Sequence, residues 1–125
     1  MVILDTCAII EAIKPQPSFS LKALKFIEEN ASILSISFAE IACKIQQKKL
    51  DLSISTKDLY EQFSQVDTID IVNIGVIEWL DSIELDWKEN KDPADRVITA
   101  FAMKKNYSIV TTDLKIKKFY KNVIW

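Results

Sequence analysis

The chain alternates short apolar, β-branched runs with helix-forming segments along its whole length, and this alternation limits the folds open to it. Strands are predicted over residues 2–4, 33–36, 69–74 and 108–112, and residues 123–125 form a last strand or tail. Helices are predicted over residues 7–13, 21–30, 37–49, 57–66, 76–83, 93–105 and 114–120. Repeated strand–helix units with right-handed crossovers form α/β domains. We therefore expect one α/β domain spanning residues 1–125, with a mostly parallel sheet.

Composition narrows the class of protein. Apolar residues make up 49% of the 125 residues and there is one Gly, so a folded core is expected and disorder is not. No apolar run reaches the roughly 18 residues of a membrane span, and Met1–Asp5 lacks the features of a signal peptide. Cys7 and Cys43 are isolated, which indicates reduced thiols and a cytoplasmic location.

The charged residues exclude several kinds of chemistry. The chain has no His, which rules out Ser-His-Asp hydrolysis, His-based acid–base nucleases and His-ligated zinc. The net charge of -2 argues against a nucleic-acid binder held by bulk charge alone. Catalysis must then depend on carboxylates, hydroxyls, Lys, Cys or a metal.

Four carboxylates fall where the predicted strands end. Asp5 and Asp113 follow strands, Glu40 lies in the helix after a strand, and Asp95 opens the helix before the strand that ends at Asp113. Sites in parallel α/β sheets lie beyond the carboxyl ends of the strands. Carboxylates gathered there would repel each other and raise each other's pKa, which a divalent cation relieves. Oxygen ligands without His or thiolate select Mg²⁺ or Mn²⁺.

Helix capping is the alternative explanation for each of these acids. Asp5 or Thr6 suits the N-terminus of the first helix, and Asp113 that of the last. Asp92 is a good N-cap ahead of a Pro. Glu40 stands three residues after a Ser, the spacing of a capping box. The residues alone leave capping and metal binding both open.

With these residues in place, the chain resembles a known family. It is similar to the PIN domain, and specifically to the VapC-type ribonuclease toxins of bacterial toxin–antitoxin pairs. The matching segments are Leu4–Thr6, Ala39–Ala42 with Lys44, Trp87, Asp92–Arg96 with Ile98 and Ala100, Thr111–Asp113, and the tail from Ile116 to Trp125. Their order, spacing and total length carry the resemblance. The chain departs from it at Cys7 and Asn90, where such toxins often carry His, and at Lys48, where Gly is common.

The resemblance implies a PIN-like three-layer α/β/α domain with a defined set of site residues. The metal-binding and catalytic acids would be Asp5, Glu40 and Asp95, with Asp113 as a fourth. Four further residues would support them: Thr6, Asp92, Arg96 and Thr112. Arg96 would pair with an acid of the cluster, and Asp92 would act mainly as a helix cap.

The resemblance also implies a Mg²⁺- or Mn²⁺-dependent endoribonuclease that hydrolyses RNA phosphodiester bonds through metal-activated water. Such a toxin would cut a structured RNA such as tRNA, form a homodimer in the cytoplasm away from membranes, and be inhibited by a cognate VapB-type antitoxin. Two other functions stay open. One is a PIN fold that binds RNA without cutting it, and the other is a Mg²⁺-dependent phosphatase or receiver-like domain on a similar sheet.

Overall fold

A computed structural model describes residues 1–125, which form five strands and seven helices. The strands are β1 (Val2–Leu4), β2 (Ala31–Leu34), β3 (Ile69–Val72), β4 (Ser108–Val110) and β5 (Val123–Ile124). The helices are α1 (Thr6–Ala12), α2 (Leu21–Glu29), α3 (Ser35–Gln46), α4 (Thr56–Ser64), α5 (Val76–Glu84), α6 (Pro93–Lys105) and α7 (Leu114–Phe119). None of these helices has both the length and the apolar character to cross a bilayer.

The five strands form one parallel sheet in the order β3-β2-β1-β4-β5. β1 lies at the centre and is completely buried, as a wholly apolar strand should be. Val2 pairs with Ala31 on one side and with Ser108 on the other. Because every strand runs the same way, the carboxyl ends meet at one edge of the sheet. Asp5 and Thr111 lie at that edge, directly after β1 and β4.

Helices cover both faces of the sheet, which confirms the expected three-layer α/β/α architecture. Successive side chains of a strand point to opposite faces. Val2 and Leu4 accordingly belong to one apolar core and Ile3 to the other. Helices α1 to α4 contribute buried residues to the first core, and α6 and α7 to the second.

The boundary between β2 and α3 differs from the sequence-based expectation, and it excludes the capping box proposed for Glu40. The strand begins at Ala31, two residues earlier than predicted, because its register is set by pairing with β1 and β3. Helix α3 therefore begins at Ser35, with Leu34 at the N-cap position and no side-chain cap. Ser37 lies inside the helix and is buried. The predicted capping box of Ser37 and Glu40 is wrong, so capping does not account for Glu40.

Helix α6 confirms the local prediction. Asp92 is its N-cap, and Pro93 stands at its first position. Asn106 ends the helix in the left-handed conformation, with φ 57° and ψ 43°, which Asn tolerates better than most residues. The helix is buried on several sides, and it places Asp95 in its first turn at the carboxyl edge of the sheet.

Some apolar side chains of the helices lie on the surface. Leu21 of α2 is 85% exposed, and Ala23 is the buried residue of that helix. On α5, Ile77 and Leu80 are 59% and 56% exposed. Helix α5 packs mainly against α6 rather than on the sheet, so only part of its apolar surface is covered.

Candidate metal centre

Five carboxylates line one cavity of about 280 Å³ at the carboxyl edge of the sheet. They belong to Asp5, Glu40, Asp92, Asp95 and Asp113, and Thr6, Cys7, Lys44 and Thr112 complete the wall. We call this cavity the acidic pocket. It brings together every acid singled out in the sequence as a metal ligand, together with Asp92, although the five come from four separate parts of the chain.

Asp5 combines a capping role with a place in the pocket. Its Oδ1 accepts a hydrogen bond from the Thr6 backbone N–H at 2.7 Å, which caps α1. Its Oδ2 accepts from the Thr111 hydroxyl at 2.7 Å. Burial raises the pKa of Asp5, the hydrogen bonds from Thr111 and Thr6 act against that rise, and the negative charge of Asp113 adds to it. Thr111 thus holds this carboxylate in place.

Asp92 and Asp113 also cap helices, each with only one of its two oxygens. Oδ1 of Asp92 accepts from the Asp95 backbone N–H at 3.1 Å. Oδ1 of Asp113 accepts from the N–H groups of Lys115 and Ile116 at 2.8 and 3.2 Å. The second oxygen of each carboxylate makes no hydrogen bond within the protein. Capping and cation binding are therefore compatible at both residues.

Glu40 lies in the second turn of α3 and is partly buried in the pocket. Burial raises its pKa, and the negative charges of Asp92 and Asp5 raise it further. The Thr6 hydroxyl and the Lys44 ammonium act in the opposite direction. Glu40 does not cap a helix, so helix capping cannot explain why its carboxylate lies among the other acids.

Asp95 is the acid most strongly affected by its surroundings. Burial is the main reason that its pKa rises to about 7. The charges of Asp92, Asp5 and Asp113 raise it further, while a hydrogen bond from Asn90 lowers it. A carboxyl group with a pKa near 7 is partly protonated at neutral pH, and a cation bound nearby would displace that proton.

Asn90 and Arg96 fix the loop that carries this acid. Asn90 is only 1% exposed; its Nδ2 donates to Asp95 Oδ2 at 2.9 Å, and its Oδ1 accepts from the Asp92 N–H at 2.9 Å. Its backbone oxygen accepts from Nη1 of Arg96 at 2.9 Å. Arg96 also donates to the backbone oxygens of Ser82, Ile83, Leu85 and Trp87.

Two of the predicted supporting residues therefore act differently than expected. Arg96 makes no ion pair with an acid, because all its hydrogen bonds go to carbonyl groups in the last turn of α5 and in the α5–α6 connection. Thr112 lines the pocket but is exposed, and its hydroxyl contacts only Cys7, at 3.8 Å. The buried Thr111, and not Thr112, supplies a hydrogen bond to Asp5. Thr6 donates its hydroxyl to Ser37 at 3.1 Å.

The sequence pointed only weakly to the residues that were missed. Asn90 precedes Asp92 by two positions in a loop, which is the spacing of an Asx-turn. Thr111 and Thr112 are adjacent, and only the register of β4 decides which one faces Asp5. Sequence patterns carry no direct signal for that choice.

The remaining two pocket residues differ in charge. Cys7 Sγ lies 3.6 Å from Asp5 Oδ2, and burial followed by the charge of Asp5 raises the pKa of the thiol. Cys7 is therefore a neutral thiol at this position rather than a thiolate. Lys44 is the one basic residue in the wall, and no carboxylate lies within 4.0 Å of its ammonium group.

The donor set fits a hard divalent cation by its chemistry. No group of three or more acidic or cysteine side chains already forms a coordination sphere, so binding requires the carboxylates to draw together. The pocket offers carboxylate oxygens, several of them free of hydrogen bonds, beside a neutral thiol and no imidazole. Such a set favours Mg²⁺ or Mn²⁺ over zinc or copper.

Comparison with known proteins gives a family and a fold. The sequence model of the PIN domain family matches residues 2–122 of this chain. A toxin–antitoxin complex from Klebsiella pneumoniae contains a chain with 18% identity and a TM-score of 0.71, covering 100% of this chain and 97% of that one. The structure of FitAB bound to an IR36 DNA fragment gives 20% identity, a TM-score of 0.64 and coverages of 100% and 94%. The crystal structure of FitAcB from Neisseria gonorrhoeae gives 20% identity and a TM-score of 0.58, and the match covers 100% of this chain and 97% of that one. A comparison with curated proteins gives no match.

Proposed function

The chain belongs to the PIN domain family, and from this premise we propose that it is a Mg²⁺- or Mn²⁺-dependent endoribonuclease acting as the toxin of a toxin–antitoxin pair. PIN domains are generally nucleases. The observation that carries the proposal is the acidic pocket, in which five carboxylates from distant parts of the chain line one cavity. Placing like charges together is costly, and a site for divalent cations is the function that accounts for it.

Each pocket residue has a role in this proposal. Asp5, Glu40, Asp95 and Asp113 would hold the metal through their carboxylate oxygens, with Asp92 contributing its free oxygen at the margin. When bound, the metal lowers the pKa of a water molecule and stabilises charge on the phosphodiester. Because the water is the nucleophile, this chemistry needs no protein nucleophile and is compatible with a chain that has no His.

The surrounding residues position the acids rather than react. Thr111 orients Asp5, and Asn90 orients Asp95, each by a hydrogen bond to one carboxylate oxygen. Arg96 fixes Asn90 through its backbone oxygen. Removing a residue that hydrogen-bonds to a metal ligand typically lowers metal affinity by about tenfold to a hundredfold.

The role as a toxin and the partners are part of the same proposal. One structural neighbour is a toxin–antitoxin complex, which supports a cognate VapB-type antitoxin that covers the acidic pocket. The exposed apolar side chains of α5 support a homodimer, since they leave an uncovered surface on that helix. The substrate would be a structured RNA such as tRNA, read by shape more than by bulk charge. The free thiols of Cys7 and Cys43 support a cytoplasmic location.

Expression in a bacterial host tests the proposal. The unmodified protein should arrest growth, and Asp5→Asn should abolish the arrest without loss of folding, checked by circular dichroism. Asp70→Asn is a matched control, because Asp70 lies on β3 outside the acidic pocket. Growth arrest that persists in the folded Asp5→Asn protein would contradict the proposal. Mg²⁺-dependent thermal stabilisation without cleavage of any RNA would instead favour a binding module.

A further inference from the structure

A second cavity adjoins the acidic pocket. Cys7, Lys44 and Thr112 belong to the walls of both cavities, so the two lie side by side. The second cavity has a volume of about 410 Å³, and its other lining residues are Ile10, Glu11, Lys14, Ser18 and Trp125. We call it the side groove. It extends from beside the carboxylates to Trp125, which follows β5, and to the end of α1.

We propose that the side groove holds the RNA strand on one side of the scissile phosphate, with Lys44 contacting the neighbouring phosphate and Trp125 stacking on a base. The inference rests on the proposed function, because it supplies the path by which a polynucleotide reaches the acidic pocket.

Charge gives the first argument. The acidic pocket repels phosphates, and a bound cation offsets that repulsion only at the phosphate it contacts. Lys44 stands at the junction of the two cavities, and its ammonium has no carboxylate within 4.0 Å. An unpaired Lys beside an acidic cluster is well placed to bind the next phosphate of the same strand.

The one acid in the side groove does not oppose this assignment. Glu11 accepts a hydrogen bond from Lys14 Nζ at 3.1 Å on Oε1 and from the Ser18 N–H at 3.0 Å on Oε2. Both oxygens are thus engaged, and the charge of Glu11 is compensated by Lys14. The exposed Lys14 ammonium has further donors available for a phosphate.

The aromatic side chain gives the second argument and separates RNA from other anions. Trp125 is partly buried and lies edge-on to Phe19, with ring centroids 4.9 Å apart and planes at 61°. Phe19 belongs to the buried core, so this packing orients the indole. An aromatic ring next to a cation-lined groove is the combination by which single strands are held, through stacking of bases and contacts to phosphates. A free phosphate or an acidic peptide would use only the Lys.

The proposal is tested by measuring how tightly RNA binds to a variant that is expected not to cleave it. In an Asp95→Asn background, binding of a fluorescein-labelled single-stranded RNA of about 12 nucleotides is followed by anisotropy between about 50 and 200 mM KCl. Lys44→Ala should weaken binding and reduce the slope of log K against log salt by about 0.7, the value for one phosphate contact on a single strand. Trp125→Ala should weaken binding about tenfold and leave the slope unchanged, because stacking releases no counterions.

Matched controls come from exposed residues outside both cavities. Lys57→Ala removes an unpaired Lys on α4, and Tyr60→Ala removes an exposed aromatic from the same helix. Neither should change affinity or slope. Trp125→Phe keeps a ring for stacking and should bind nearly as well as the background protein, which guards against a folding defect in Trp125→Ala.

The outcomes separate this inference from the proposed function. If Lys44→Ala and Trp125→Ala bind like the Lys57 and Tyr60 controls, the strand does not lie in the side groove, and the inference is overturned. Absence of RNA binding by the background protein at the lowest salt overturns it as well. Metal-dependent RNA cleavage by the unmodified protein, measured in parallel, reports on the proposed function independently of either result.

Discussion

The side-chain amide of Asn90 donates a hydrogen bond of 2.9 Å to Oδ2 of Asp95, the acid whose pKa rises to about 7. Asn90 is held by two further hydrogen bonds, since its Oδ1 accepts from the Asp92 N–H and its backbone oxygen accepts from Arg96. The segment from residue 90 to residue 96 thus caps α6, orients one pocket acid and anchors its own loop. This connection is the structural basis for the first two predictions.

Replacing Asn90 by Ala should weaken Mn²⁺ binding about tenfold, because Asp95 loses the donor that holds it and favours its ionised form. Titration calorimetry with Mn²⁺ measures the effect. Asn73→Ala, at an exposed Asn outside the pocket, is the control and should bind Mn²⁺ like the unmodified protein. Equal affinity in the two variants would show that Asn90 does not position Asp95.

Replacing Arg96 by Lys should lower the free energy of unfolding by about 2 kcal/mol, because one ammonium group cannot satisfy the five carbonyls that the guanidinium serves. Urea denaturation gives the loss of stability. Hydrogen exchange should quicken most in the connection between α5 and α6. Lys105→Ala is a surface control. A uniform increase in exchange over the whole chain would argue against a local clamp.

Replacing Thr111 by Val keeps the shape of the side chain and removes the hydroxyl that donates to Asp5. We expect Mn²⁺ affinity to fall severalfold and stability to fall by about 1 kcal/mol. Thr112→Val is the matched control on the neighbouring residue, whose hydroxyl contacts only Cys7. If the Thr112 variant were the more impaired of the two, the assignment of roles at this strand end would be reversed.

Stability without metal should depend on pH through Asp95. Its pKa is about 7 in the folded protein and near the ordinary 3.8 when unfolded, so the folded state binds the proton more tightly. This contribution to stability is complete below about pH 4 and is lost as pH rises to about 7. Partial exposure of the group limits the effect to about 1–2 kcal/mol.

Asp95→Asn is the comparison that isolates that effect. In EDTA the variant should match the unmodified protein at low pH and exceed its stability above about pH 7. Urea denaturation across this range gives the difference. Added Mn²⁺ should reverse the order above neutral pH, because only the ionised Asp95 binds the cation. A pH-independent difference between the two proteins would remove Asp95 as the titrating group.

Local signals in the sequence predicted much of the fold and part of the site. Asp92 and Pro93 gave the start of α6, and the placement of Asp5 and Asp113 after strands located the edge where the acids meet. The capping box at Ser37 was wrong because pairing with β1 and β3 sets where β2 ends, and that pairing is a tertiary property. The same holds for Arg96, whose acceptors are backbone carbonyls that no residue pattern identifies.

Cleavage of RNA tests the central claim most directly. Total cellular RNA is incubated with the purified protein in Mg²⁺, in Mn²⁺ and in EDTA, beside the Asp95→Asn protein in the same buffers. The proposed function predicts discrete fragments that require both the metal and Asp95, with fragment ends that identify the RNA. Intact RNA in every condition, or equal cleavage in EDTA or by Asp95→Asn, would contradict a metal-dependent ribonuclease at the acidic pocket.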